Sequence, residues 1–116
     1  MRVLVADDCA DTRESLAELL RAAGHEVCTA ADGNDAVSRA VACVPNALLL
    51  DLSMPGRTGY EVAERVHRLL PNAILVAVTG WPQRAELRER DAIFDRYVLK
   101  PVDVRELLAA LDPARL

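Results

Sequence analysis

Aromatic side chains are scarce in this chain: one Trp, two Tyr and one Phe among 116 residues. With 52% of residues hydrophobic and only 3% aromatic, aliphatic side chains have to build the interior. Such a length fits one domain, residues 1–116, with a single core and no room for a second. Long apolar runs are missing too. No stretch approaches the roughly 20 residues of a membrane-spanning helix, and the start lacks a signal-peptide pattern, so no membrane association is expected. Basic excess is likewise absent, and the net charge of −4 argues against direct nucleic acid binding. The cysteines, Cys9, Cys28 and Cys43, are odd in number and form no CxxC pair, which fits a reduced, cytoplasmic setting. Cys9 adjoins two carboxylates, which would raise its thiol pKa, so it reads as a small silent residue.

What is present is a regular alternation. Apolar runs at 2–6, 26–30, 47–51, 74–78 and 96–99 read as strands, the second more polar and hence an edge. Between them lie helical patterns. The first carries Leu16, Leu19, Leu20 and Ala23 and stops at Gly24, a good residue just past a helix end. The second spans about 34–43, with Ala36, Val37, Ala40 and Val41 inward, and the third spans 60–70, with Val62, Val66, Leu69 and Leu70. The fourth, over 82–92, is dense in charge and poor in apolar residues, so it is the least firmly anchored. The fifth places Val104, Leu107, Leu108 and Leu111 on one face. Strand–helix units of this kind make a parallel sheet covered on both sides, and right-handed crossovers leave few topologies. The common five-strand order is 2-1-3-4-5, with its switch point between strands 1 and 3.

Chemistry-bearing residues stand where the apolar runs end. Asp7 and Asp8 follow the first strand, Asp51 ends the third, Thr79 follows the fourth, and Lys100 follows the fifth with Pro101 behind it. In a parallel sheet all of them reach the same carboxyl edge, where open α/β sheets bind ligands. Clustered carboxylates repel one another, and a divalent cation with all-oxygen ligation, Mg²⁺ by preference, relieves that. An acidic helix start explains Asp7–Asp8 alone, but not Asp51, Thr79 and Lys100 at the same edge. Asp51 as a nucleophile toward phosphorus would give an aspartyl-phosphate. The metal, Lys100 and the Thr79 hydroxyl would then serve the three phosphoryl oxygens.

With these residues the chain resembles a response-regulator receiver domain, the phosphoacceptor module of two-component signalling. The matching pieces are Val5-Ala6-Asp7-Asp8, Leu49-Leu50-Asp51-Leu52-Ser53-Met54-Pro55, Gly59-Tyr60-Glu61, Val78-Thr79-Gly80 and Lys100-Pro101, in the family's order and spacing. The stretches 77–81 and 100–103 look most like receivers attached to hybrid histidine kinases. The resemblance implies a flavodoxin-like (βα)5 three-layer sandwich. It implies phosphorylation of Asp51 by a histidine kinase or phosphotransfer protein, and Mg²⁺ held by Asp8, Asp51 and the Ser53 carbonyl, with Asp7 acting through water. It further implies a cis Lys100–Pro101 bond. Thr79 and Tyr97 would act as switch residues on the face made by the fourth helix, fifth strand and fifth helix, through which the domain regulates a partner. Such a domain catalyses only its own phosphorylation and dephosphorylation, binds no organic cofactor, and exists as a monomer or a phosphorylation-linked dimer.

Rivals fare worse on particular residues. A haloacid-dehalogenase-type hydrolase wants a second aspartate two positions after the nucleophile, where Ser53 stands, and Asp7–Asp8 would repel the phosphate of a flavin nucleotide. A pseudo-receiver, an interaction module that is never phosphorylated, normally lacks part of the acidic set, which is complete here. Two departures from the family stand out. Ile93 replaces the usual glycine, so the fourth helix should end differently, because a β-branched residue tolerates positive φ badly. Trp81, two residues beyond Thr79 at a position that flanks the path of attacking water in the family, is expected to shield the phosphoryl group, to meet a partner or to be a partly exposed ring. His25 and His67, the only histidines, are expected to be exposed and structural.

Overall fold

Alternation within each strand decides the architecture. The computed structural model of the chain describes residues 1–52, 54, 58–80 and 93–112. Strands β1 (Arg2–Ala6), β2 (Glu26–Ala30), β3 (Ala47–Asp51), β4 (Ile74–Thr79) and β5 (Arg96–Leu99) form one parallel sheet, ordered β2-β1-β3-β4-β5. The helices between them are α1 (Ala10–Ala22), α2 (Gly33–Cys43), α3 (Gly59–Leu69) and the C-terminal α4 (Val104–Ala110). The helix expected over 82–92, together with Ser53 and Trp81, lies outside the described residues.

Register turns sequence alternation into two cores. Leu4 pairs with Leu48 and Leu48 with Leu75, while Val5 pairs with Leu49 and Leu49 with Val76. The first row faces α2 and α3 beside Ala36, Ala40, Val62 and Val66; the second faces α1 and α4 beside Leu16, Leu20, Leu107 and Leu111. Each fully buried Leu or Val contributes about 1.5–3 kcal/mol, which is how a core this poor in aromatics holds. The central strands β3 and β4 are buried along their whole length, whereas β2 and β5 are partly exposed edges.

Two-sided coverage, strand order and strand positions agree with the sequence pattern. The helix stripes come out narrower than expected. Leu19, Val41, Leu69, Val104 and Leu108 are exposed, because a helix lying on a sheet buries its midline and leaves the flanks of its stripe at the layer margin. Gly24 has φ +95°, with its N–H bonded to the Arg21 carbonyl and that of His25 to the Leu20 carbonyl, which closes α1 with the expected left-handed turn. Asp32, Thr58 and Asp103 accept backbone N–H bonds at the starts of α2, α3 and α4. Val44 adopts a positive φ, at φ 48°, ψ 63° after α2. His67 is exposed as expected. His25 is half-buried instead, with Nδ1 3.1 Å from the terminal amine of Met1.

Candidate functional site

The carboxyl edge of the sheet brings together the ends of β1, β3, β4 and β5. Asp51, the last residue of β3, and Asp7, just past β1, are buried, and Asp8 beside it is exposed. Carboxylate oxygens of Asp7, Asp8 and Asp51 all lie within 4.8 Å of one another. The convergence follows from the β1–β3 pairing, which aligns Ala6 with Leu50 and so delivers both acidic ends to one place.

Asp7 is held from four sides. Its N–H reaches the Ala30 carbonyl at 3.1 Å, its Oδ1 accepts the Cys9 N–H at 2.9 Å, and its carbonyl accepts Arg13 Nη1 at 2.9 Å. Its Oδ2 accepts Lys100 Nζ at 3.2 Å, and the same ammonium lies 3.7 Å from Asp51 Oδ2. Lys100 is the only lysine of the chain, and the Lys100–Pro101 bond is cis, as the family resemblance implies. Its backbone N–H reaches the Thr79 carbonyl at 2.8 Å, which registers the lysine beside the end of β4. Partial burial lowers the Lys100 pKa, but Asp51, the hydrogen bond to Asp7, and the charges of Asp7 and Asp8 outweigh it, and the net shift is upward.

The family resemblance implies a water-mediated place near the metal for Asp7, and the strand-end pattern places Lys100 near the phosphoryl group. The direct Asp7–Lys100 contact and the Arg13 clamp on the Asp7 carbonyl were not foreseen. The latter pairs strand end with helix start, and only the position of Arg13 on the first turns of α1 hinted at it. Cys9 also departs from expectation: hydrogen bonds from the Thr12 side chain and backbone lower its thiol pKa, and the opposing charge of Asp7 is the weakest influence. Thr79 ends β4 buried near Lys100, while Tyr97 on β5 lies far out, 44% exposed, its ring 5.9 Å from Phe94 in an edge-on contact. Phe94 in turn meets Tyr60 of α3 at 5.7 Å.

Chemically the set is all oxygen and negatively charged, with one ammonium opposing it. Three carboxylates within ligand distance suit a hard divalent cation that keeps several waters, as Mg²⁺ does, so the residues fit that metal. Gly59 makes the edge tight: a Cβ there would lie 2.5 Å from the Asp51 carbonyl oxygen and 2.9 Å from Leu52 Cα.

The family model described as the response regulator receiver domain matches residues 3–112. The chain belongs to that family. This receiver domain is 37% identical over 117 residues to the transcriptional regulatory protein PdtaR of Mycobacterium tuberculosis, covering 97% of the chain and 56% of that protein. It thus spans about half the length of the curated relatives it matches. Among solved structures, it superimposes on the Vibrio cholerae chemotaxis protein CheY4 with a TM-score of 0.87 at 28% identity, covering 95% and 94% of the two chains. It superimposes on the Thermotoga maritima response regulator TrrA, solved in complex with Mg²⁺–BeF, with a TM-score of 0.83 at 31% identity, covering 93% of each. Among the described residues no helix is long and apolar enough to cross a membrane.

Proposed function

We propose that residues 1–116 form one receiver domain that accepts a phosphoryl group on Asp51 and acts as a Mg²⁺-dependent switch in the cytoplasm. The observation that carries this reading is the position of Asp51: a buried carboxylate at a strand end, with Asp7 and Asp8 in ligand reach and Lys100 Nζ at 3.7 Å. The matching TrrA structure, which holds Mg²⁺–BeF, adds support from the family. The donor is a histidine kinase or phosphotransfer protein. Asp51 attacks its phosphorus; the Asp51 O–P bond forms, and the P–N bond to the donor imidazole breaks as that ring takes a proton.

Asp8, Asp51 and the Ser53 backbone carbonyl would hold Mg²⁺, with Asp7 acting through water. Mg²⁺ bound there would supply positive charge to the carboxylates and to the phosphoryl oxygens. Lys100 supplies the remaining positive charge, and the Thr79 hydroxyl donates to a phosphoryl oxygen. Thr79 and Tyr97 then carry the change to the face of β5 and α4, where a downstream protein binds or a second copy pairs with the phosphorylated domain. Shifting such a two-state element from mostly inactive to mostly active requires about 5 kcal/mol of differential stabilisation. The domain catalyses only its own phosphorylation and dephosphorylation.

Intact mass after incubation with acetyl phosphate and Mg²⁺, beside Asp51→Asn, tests the reading. A single phosphoryl adduct that needs Mg²⁺ and disappears in the variant supports it. No adduct, together with no Mg²⁺-dependent response of Trp81 fluorescence to beryllofluoride, means a pseudo-receiver that signals by binding alone.

A further inference from the structure

A second group of reactive side chains gathers on the flank of the sheet, away from the acidic edge. Cys28 lies in the middle of edge strand β2, paired with Leu4, and Cys43 is the last residue of α2. The two are far from CxxC spacing, but α2 packs across β2 and puts both in one shallow cleft of about 360 Å³, with Arg2, Glu26, Val27 and Ala42. Both thiols line that cleft, where Cys43 raises the thiol pKa of Cys28, and Cys28 Sγ lies 3.8 Å from the Val3 carbonyl oxygen. Two thiols that share one cleft can be joined where their Cα atoms come within about 7 Å.

Arg2 bonds Glu26 at 3.1 Å through Nε and the Cys43 carbonyl at 2.7 Å through Nη1, which fixes the end of α2 against the strands. Its positive charge favours a thiolate at Cys28. Burial, followed by the contact with Cys43, nevertheless pushes the Cys28 thiol up to about 12, so Cys28 keeps its proton at neutral pH. Cys28 packs against the buried core while Cys43 stands at the end of α2, so Cys43 is the sulfur that an oxidant meets first.

We propose that Cys28 and Cys43 form a reversible dithiol–disulfide site whose oxidant is a hydroperoxide. The Cys43 thiolate attacks a peroxide oxygen; an S–O bond forms, the O–O bond breaks, and the departing oxide takes a proton. Cys28 sulfur then attacks the Cys43 sulfenic acid; the S–S bond forms, the S–O bond breaks, and the hydroxyl leaves as water with the Cys28 proton. Sulfur is oxidised by two electrons and the peroxide is reduced, and a small reducing thiol restores the pair. Closure ties the free edge of the sheet to α2.

The test is hydrogen peroxide treatment of the full chain, alkylation of the remaining thiols, and intact mass with a peptide map. Alkylated cysteines are expected to fall from three to one, with a Cys28–Cys43 linked peptide that dithiothreitol removes. Cys9→Ser should leave the link unchanged, and Cys28→Ser should stall at a sulfenic acid on Cys43, trapped by dimedone. Links that involve Cys9, links between chains, or overoxidation of Cys43 without the Cys28–Cys43 peptide would overturn the proposal. The wild-type map decides even if a variant folds poorly.

Discussion

Lys100 touches two buried carboxylates, so its removal takes away the ammonium that lies against both of these like charges. Breaking a buried pair costs more than an exposed one, but the ammonium is itself 30% exposed, which reduces the loss. Lys100→Met should therefore lower stability by about 2 kcal/mol in chelator, read by urea unfolding. Saturating Mg²⁺ should shrink the deficit by taking over part of the charge; an equal deficit with and without metal would deny Lys100 that role. The same contacts set a pH window. A lysine whose folded pKa is raised contributes fully below the unfolded value, near 10.4, and loses that contribution as pH rises through the folded value. The wild-type advantage over Lys100→Met should thus be flat through neutral pH and decline only above about pH 10.4. As the single lysine, its side-chain NMR signal reports the titration without ambiguity.

Elements dock on one another with little slack at the start of α3. Thr58 and Glu61 close that end reciprocally, and Gly59 lies against the Asp51 carbonyl. Gly59→Ala would force backbone apart at the end of β3, so it should cost about 2–3 kcal/mol and slow phosphorylation of Asp51 by acetyl phosphate. Unchanged kinetics would mean that α3 shifts without moving the carboxylate. The end of α2 offers the opposite case, since Val44, 55% exposed, holds a left-handed conformation that a branched side chain resists. Val44→Gly should stabilise by about 1 kcal/mol, a rise of about 4 °C in Tm by calorimetry. The strands and the acidic residues at their ends were legible in the sequence because they follow from periodicity, which is local information. Val44 was not, because hydrophobic spacing says nothing of φ. Nor was the Asp7–Lys100 contact, which joins residues near opposite ends of the chain. The cleft that Cys28 and Cys43 share was hidden likewise, since it depends on how α2 crosses β2.

For the molecule as a whole, the acidic site exists only when folded, since β1–β3 pairing is what brings Asp7 and Asp8 to Asp51. A ligand that binds only the folded state stabilises it by RT ln(1 + [L]/Kd), so each tenfold rise in Mg²⁺ above Kd should add about 1.4 kcal/mol. For a domain of this size that is about 6 °C in Tm per tenfold. Asp8→Asn should flatten this dependence, because it removes a ligand without emptying any part of the core: Asp8 is exposed. Glu18→Gln, an equal charge change on the exposed side of α1, should leave it intact and so separates binding from general screening of an acidic protein. Melting scans over about a thousandfold range of Mg²⁺ at constant ionic strength would read both. A wild-type Tm that stayed flat would mean that Mg²⁺ does not bind the acidic site, and the metal would lose its place in the switch.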